Sequence, residues 1–325
     1  MKAIRVHEYG NETVLRYEDV ADPAIGPDGV LIRVRAASIN RGDLSRRAGT
    51  NATAPLAEPL IIGWDVAGDV LEIGSEVENV HVGQRVVVRL PQGGYAELAA
   101  ANGANAMPLP DGVDYDQAAS LPVAFLTSWV ALLNTAKLAA GETVLVQAAG
   151  SGVGMAGVQI AKHVAGARVI TTAGTDAKVA RAKELGADEA INYTSHDFLP
   201  EVQRLTDGKG MQVGLDMVGG DVFSRSQQAL ADGGRLVSVG RSSGVGPVVD
   251  DALAESRHHQ VVVGWRLGDA QPPAQTTRDL GRIVELVDQG TLKTIIDRVF
   301  PLSETAEAHR YLASRAQFGK VILHP

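Results

Sequence analysis

Cysteine is absent from the 325 residues, which excludes disulfides and every cysteine-ligated metal site. Aromatic residues are scarce at 4% while glycine is abundant at 36 residues, a balance that suits tight turns and close backbone approaches. No uninterrupted apolar run reaches the ~18 residues of a membrane span, so none is expected. There is no excess of basic charge either. The formal net charge is −8 with the signs interspersed, which argues against nucleic acid as the main partner, because a phosphate backbone calls for a basic face. Met1 to Tyr9 reads as a strand without a basic-then-apolar leader, and a cytoplasmic place of action is the expectation. What is present is ordinary for a globular chain: 45% apolar and 21% charged residues, in a length that suggests two domains.

The first 122 residues read as short strands broken by glycine and proline, among them Met1–His7, Gly29–Ala37, Asp65–Ile73 and Gln84–Leu90. Turn signals such as Asp22-Pro23 and Gly26-Pro27-Asp28-Gly29 recur between them, and the spacing predicts a largely antiparallel β domain. The pattern then changes. Apolar strands (Thr143–Gln147, Arg168–Thr172, Glu189–Asn192, Gln212–Met217, Gly234–Val239) alternate with helix-period stretches (Val153–Val164, Ala177–Leu185, Ser224–Leu230). That alternation predicts βαβ units around a parallel sheet. The boundaries expected are 1–122 for the β-rich domain, 123–264 for the parallel-sheet domain, and 265–325 for a tail that returns to the first.

The segment Val144-Leu145-Val146-Gln147-Ala148-Ala149-Gly150-Ser151-Gly152-Val153-Gly154 is strand, tight turn, helix. Small residues let a backbone approach the phosphates of a dinucleotide, and the free N–H groups of a helix N-terminus face the negative charge. Ala149, Ser151 and Gly154 occupy the three glycine positions of the usual fingerprint, so two of the three are not glycine. The context of a preceding strand, a following helix and a second strand ~20 residues later strengthens the reading. That second strand ends in Ala173-Gly174-Thr175, without the acid that binds a ribose 2′-hydroxyl in NAD enzymes. Lys178 and Tyr193 nearby can both donate to a 2′-phosphate, so NADPH is expected over NADH. Asp176 stands near this place but past the usual acidic position.

Taken together, Ala36–Asp43, Ile62–Gly68, Gly93–Glu97, Thr127-Ser128-Trp129, Ala149–Lys162, Leu185–Asp188, Ile191-Asn192-Tyr193, Gly240–Gly244 and Gly319–Leu323 resemble the medium-chain dehydrogenase/reductase superfamily. Within it the chain is similar to the zinc-independent quinone oxidoreductase (zeta-crystallin-like) family. The resemblance covers nearly the whole chain. It implies an α/β fold, a Rossmann doubly wound parallel sheet plus an irregular β-rich catalytic domain. It places Ser151, Gly152 and Val153 at the pyrophosphate, and Gly174, Lys178 and Tyr193 at the 2′-phosphate. Asn40, Asp43 and Thr127 fall beside the nicotinamide and its ribose. Val218, Gly240 and Arg241 fall on strand ends that line the cofactor, with Trp265, Arg266 and Lys320 bordering it. Relatives also pair an edge strand such as Gln260–Trp265 across a twofold axis, which implies a homodimer.

The zinc enzymes of the superfamily carry Cys and His ligands where this chain has Asn40-Arg41-Gly42-Asp43 and Gly63-Trp64-Asp65, so no metal is expected. Without a strong Lewis acid, good hydride acceptors are favoured: quinones and α,β-unsaturated carbonyls. The protein would position the nicotinamide and offer donors to a developing oxyanion. Trp64 is a candidate wall of the substrate cleft, and Tyr95 a candidate proton donor there. Each also reads as a packing residue, and Asp43 also reads as a cap for a helical turn starting at Leu44. Arg46 and Arg47 stand where many relatives have an aromatic residue, which suits an acceptor bearing an acidic group. His258-His259 cannot share one ion from a strand, since neighbours there face opposite sides; a surface or interface position is expected. Two alternatives stay open: an enoyl-thioester or alkenal reductase of the same fold, and a non-enzymatic NADPH-binding structural or RNA-binding protein.

Overall fold

A computed structural model of the chain describes residues 1–50 and 52–325. It divides into two compact units, one formed by 1–123, 273–290 and 294–325, the other by 124–272 and 291–293. Residues 265–272 therefore lie in the second unit, and the return to the first begins at Pro273.

The chain opens with β1 (Lys2–Val6), β2 (Leu15–Asp19) and β3 (Gly29–Ile39), followed by the short helix α1 (Arg41–Arg47). Strands β4 (Leu60–Ile61), β5 (Asp65–Ile73), β6 (Arg85–Arg89), β7 (Leu98–Asn102) and β8 (Met107–Pro108) complete the antiparallel part. Helices α2 (Tyr115–Ala119) and α3 (Pro122–Trp129) come next. Among the described residues the first unit holds two sheets. One has the order β2-β1-β4. In the other, β3 lies between β5 and the last strand of the chain and also pairs with β7. The core of this unit is aliphatic: Ile4, Val30, Ile32, Val66, Val86, Val88 and Leu323 are all buried to 1% exposure or less.

The second unit is built on β9 (Thr143–Val146), β10 (Arg168–Ala173), β11 (Glu189–Asn192), β12 (Met211–Asp216), β13 (Leu230–Ser238) and β14 (Gln260–Val262). These form one parallel sheet in the order β11-β10-β9-β12-β13-β14, the doubly wound order whose direction reverses at β9. The connecting helices are α4 (Gly152–Gln159), α5 (Asp176–Glu184), α6 (Phe198–Leu205), α7 (Gly220–Gln228) and α8 (Asp251–Ser256). α4 runs on through a wider π-type turn over Ile160–Val164. The central strands Val144-Leu145-Val146 and Val213-Gly214-Leu215 are apolar without alternation and buried, because both faces of a parallel sheet are covered. The chain ends with α9 (Pro273–Asp288), β15 (Ile296–Pro301), α10 (Thr305–Ala313) and β16 (Lys320–His324), and β16 pairs with β3. Among the described residues, no helix is long and apolar enough to cross a membrane.

Candidate functional site

In the first unit the residues of interest converge at the junction of β3, α1 and β16. Asn40 is the N-cap of α1, which starts at Arg41 rather than at Leu44, so Asp43 is its third residue. The Asp43 carboxylate reaches back to accept the Asn40 backbone N–H at 2.7 Å, half of a capping box. The same oxygen accepts the Tyr95 hydroxyl at 3.0 Å. The Asn40 side chain is held from both ends. Its Nδ2 donates to Asp65 Oδ2 at 2.8 Å, and its Oδ1 accepts from Lys320 Nζ at 2.6 Å. Lys320 Nζ also donates to the Ile39 carbonyl at 3.2 Å, and Asp65 Oδ2 accepts from the Ser38 hydroxyl and the Val123 N–H. One amide hydrogen of Asn40 is left over, and the residue is 8% exposed.

Asp43, Asp65 and Tyr95 are fully buried and Lys320 is 3% exposed. Removal from water disfavours each charged form. Burial pushes the Asp43 carboxyl up to about 7, helped by the neighbouring Asp65 and opposed by the Asn40 N–H. Burial also raises Asp65, against Lys320 and Asn40, and lowers Lys320, against the two carboxylates. The second oxygen of each carboxylate has no hydrogen-bond partner.

Around this cluster, Tyr95 also packs edge-on against His309, with ring centroids 5.8 Å apart. Burial, and Arg47 beside it, push His309 down to about 3, so the ring is neutral and its Nδ1 accepts from Arg47 Nη1 at 3.2 Å. Arg47 is thus an 8% exposed packing residue, whereas Arg46 is exposed and bonds Gln92. The Trp64 indole lies directly over Gly42 of α1. Among the described residues, no three His, Asp or Glu side chains gather as a metal site. Of the histidine pair, His258 is exposed and His259 buried.

In the second unit the turn after β9 is bound tightly to itself. Ser151 caps α4, its hydroxyl accepting the Gly154 N–H at 2.9 Å and donating to the Ala148 carbonyl. A Cβ on Gly154 would stand 2.1 Å from that carbonyl oxygen, so this third fingerprint position admits only glycine, while Ala149 and Ser151 are tolerated at the other two. The N–H groups of Gly152 and Val153 open α4 and have no acceptor inside the helix. At the end of β10, a Cβ on Gly174 would meet the Tyr193 hydroxyl at 2.6 Å; the phenol lies across that glycine and is 51% exposed. Lys178 is a half-buried residue of α5 whose backbone N–H is donated to the Thr175 hydroxyl. The Asp176 carboxylate accepts from Asn192 at 2.7 Å.

Val218 and Gly240 follow the ends of β12 and β13. Asp216, at the end of β12, accepts the N–H groups of Val218 and Gly219, and burial raises its carboxyl to about 6. The two strand-end loops are zipped together just after Arg241, where the Ser242 and Ser243 N–H groups donate to the Met217 and Val218 carbonyls. Trp265 donates its indole N–H to the Thr135 hydroxyl and Arg266 is exposed. Thr127 lies buried on α3. The candidate residues therefore fall into two groups: Asn40, Asp43, Trp64, Tyr95 and Lys320 in the first unit, and Thr127, Ser151, Gly152, Val153, Gly174, Lys178, Tyr193, Val218, Gly240, Arg241, Trp265 and Arg266 in the second. Sequence reasoning misses Asp216 and His309, and takes Asp65 only as a vacant ligand position. An acid ending an apolar strand, as in Val213–Asp216, or entering one, as in Asp65-Val66-Ala67, is the signal that could have found the two aspartates.

Family models match over two stretches: "Alcohol dehydrogenase GroES-like domain" over residues 26–111 and "Zinc-binding dehydrogenase" over 185–323. The quinone oxidoreductase of Pseudomonas aeruginosa is 35% identical over 326 residues, covering 100% of this chain and 99% of that protein. A phenolphthiocerol/phthiocerol polyketide synthase of Mycobacterium tuberculosis is also 35% identical, over 98% of this chain, but the chain spans only 14% of that protein's length. The crystal structure of Escherichia coli quinone oxidoreductase complexed with NADPH superposes with a TM-score of 0.93 at 29% identity, covering 100% of both chains.

Proposed function

Because the chain belongs to the quinone oxidoreductase family of the medium-chain dehydrogenases/reductases, we propose that it is an NADPH-dependent oxidoreductase that reduces a quinone or an α,β-unsaturated carbonyl without zinc. The observation that carries the cofactor assignment is the end of β10: Ala173-Gly174-Thr175 presents no carboxylate, and the exposed Tyr193 phenol lies over Gly174. A 2′-phosphate is accepted there by the phenol and by Lys178, while the N–H groups of Gly152 and Val153 and the Ser151 turn take the pyrophosphate. Asp176, the nearest acid, is engaged by Asn192. Val218, Gly240, Arg241, Trp265 and Arg266 complete the cofactor lining. Bound NADPH supplies a hydride to an electron-poor acceptor.

Asn40, Asp43 and Thr127 are the polar groups assigned to the reacting end. Lys320 and Asp65 fix the Asn40 carboxamide, so its remaining function is as an N–H donor, the group that stabilises a developing oxyanion. Asp43, raised toward neutrality, holds a proton behind it. Tyr95 works through Asp43, because its hydroxyl is committed there and its ring is wholly buried. A divalent metal does not fit this donor set: the Lys320 ammonium already stands 2.6 Å from Asn40 Oδ1 and would repel it. Trp64 is retained as a wall for a flat acceptor. The exposed side of the edge strand β14, with Val263 44% exposed beyond it, supports a homodimer paired along that edge. Action in the cytoplasm belongs to the same reading.

The test is the rate of NADPH oxidation by purified protein across a panel of acceptors (a quinone, an enal and a crotonyl thioester), with NADH in place of NADPH as the control. Quinone or enal turnover that survives chelation is expected. No NADPH binding by calorimetry, or activity lost to a chelator and restored by zinc, refutes the reading. The polyketide synthase relative favours a second reading, an enoyl-thioester reductase, which predicts that the thioester is the fastest acceptor.

A further inference from the structure

Three buried polar side chains form a relay beneath the pyrophosphate turn: Thr172 at the end of β10, Gln147 just after β9 and Ser226 on α7, all 3% exposed or less. The Thr172 hydroxyl donates to Gln147 Oε1 at 2.6 Å, Gln147 Nε2 donates to the Ser226 hydroxyl at 3.0 Å, and that hydroxyl donates to the Val222 carbonyl at 2.7 Å. At the other end, Thr172 grips the turn twice. Its hydroxyl accepts the Ala148 N–H at 3.0 Å and its carbonyl accepts the Ala149 N–H at 2.9 Å.

This grip has a directional consequence. With the N–H groups of 148 and 149 turned toward β10, and those of Ser151 and Gly154 taken by Ala148 and Ser151, the groups left facing outward at the start of α4 are those of Gly152 and Val153. Ala148 adopts a left-handed φ of +55°, which an L-residue holds only when its surroundings impose it. The hydroxyl bond to its N–H is one such restraint. A valine at 172 has nearly the same shape but neither accepts that N–H nor donates to Gln147, so of the two bonds on that side only the one from the Ala149 N–H to the backbone carbonyl of residue 172 would remain.

We propose that Thr172 is the positioning residue of the pyrophosphate turn, its hydroxyl holding Ala148 so that the first N–H groups of α4 are aimed at the phosphates. This rests on the assignment of the turn to a dinucleotide. Because NADPH and NADH share the pyrophosphate, the effect is equal for both, unlike that of a residue at the 2′-phosphate.

The experiment measures dissociation constants for NADPH and NADH by calorimetry on the full chain, together with kcat at saturating NADPH and the thermal midpoint. Thr172→Val is expected to weaken both nucleotides about tenfold and leave kcat within about twofold; Thr172→Ser, which keeps the hydroxyl, is expected to restore binding to within about threefold of wild type. Ser226→Ala, one step removed, is expected to weaken both by about threefold, and it decides the question if the valine variant fails to fold. A lowered thermal midpoint with unchanged dissociation constants overturns the proposal, since the relay then only supports the fold. So does a loss confined to NADPH, or a serine variant as weak as the valine one. Failure of the wild-type chain to bind either nucleotide removes the dinucleotide assignment itself and is distinguishable from all of these.

Discussion

The two groups of candidate residues handle water in opposite ways. Around Asn40 the polar side chains are withdrawn from solvent and bonded to one another: Lys320, Asp65, Asp43, Tyr95 and Ser38 form one linked set, with one oxygen of each carboxylate left without a partner. Around Ser151 and Gly174, the first N–H groups of α4 have no acceptor within the helix, and the Tyr193 phenol reaches into solvent with Lys178 only half buried. The first arrangement fixes geometry and shifts proton affinities. The second leaves the first N–H groups of α4 and the Tyr193 hydroxyl facing solvent. A buried, linked polar cluster is costly to disturb in the folded chain itself, whereas the solvent-facing groups at the start of α4 and the end of β10 cost little to alter.

The sharpest way to break this contrast is Lys320→Met. It removes the cation from a cluster holding two buried carboxylates, and a loss of about 3–5 kcal/mol in urea denaturation is expected. A loss below about 1 kcal/mol would mean that the cluster is hydrated. Next is Asp43→Asn, whose effect depends on pH. Burial raises the Asp43 carboxyl to about 7 in the folded chain, above its ordinary 3.8. The wild type therefore keeps its full stability from this group below the unfolded value and loses it as pH rises through about 7. The asparagine variant escapes that loss, so its stability relative to wild type should improve between about pH 4 and about pH 8, by on the order of 2–4 kcal/mol. A pH-independent difference would contradict the buried, proton-holding carboxyl. In the second group, Lys178→Ala should leave the thermal midpoint nearly unchanged, raise the KM for NADPH about tenfold (about 1.4 kcal/mol) and spare NADH. Equal effects on both nucleotides would count against the phosphate assignment. Arg46→Ala, on the exposed surface, should change stability by less than about 0.5 kcal/mol. A substantial KM change for an acidic acceptor there would assign Arg46 to substrate selection.

What the sequence disclosed follows the same division. The parallel sheet was legible because strands buried on both faces are continuous apolar runs, and Glu189–Asn192 and Asp65–Ile73 stand at their expected bounds. The turn between β9 and α4 was legible because its pattern is local, confined to contiguous small residues. Helix α1 was legible only as a turn from Leu44, because its seven residues are nearly all polar, and α6 and α10 not at all; Pro200 sits inside α6. The buried cluster was only half legible. Asn40, Asp43 and Lys320 could be named, yet Lys320 and Asn40 are 280 positions apart, and no local pattern records a contact made by pairing β16 with β3. The role of Arg47 was obscured for the same reason, because its partner His309 is 262 positions away. The tail returns to the first unit at Pro273 rather than at the expected 265, at the Pro272-Pro273 pair and not at the end of β14.

Ala148 carries a methyl group where most chains would use glycine to reach φ +55°. The methyl makes the conformation less favourable by roughly 1 kcal/mol, but it also narrows what the loop can do when no nucleotide is present. A glycine would relax the folded backbone and at the same time let it wander. On the reading that this turn takes a dinucleotide, the loop is thereby stiffened ahead of its ligand, and little ordering remains to be done on binding: the lock is cut before the key arrives.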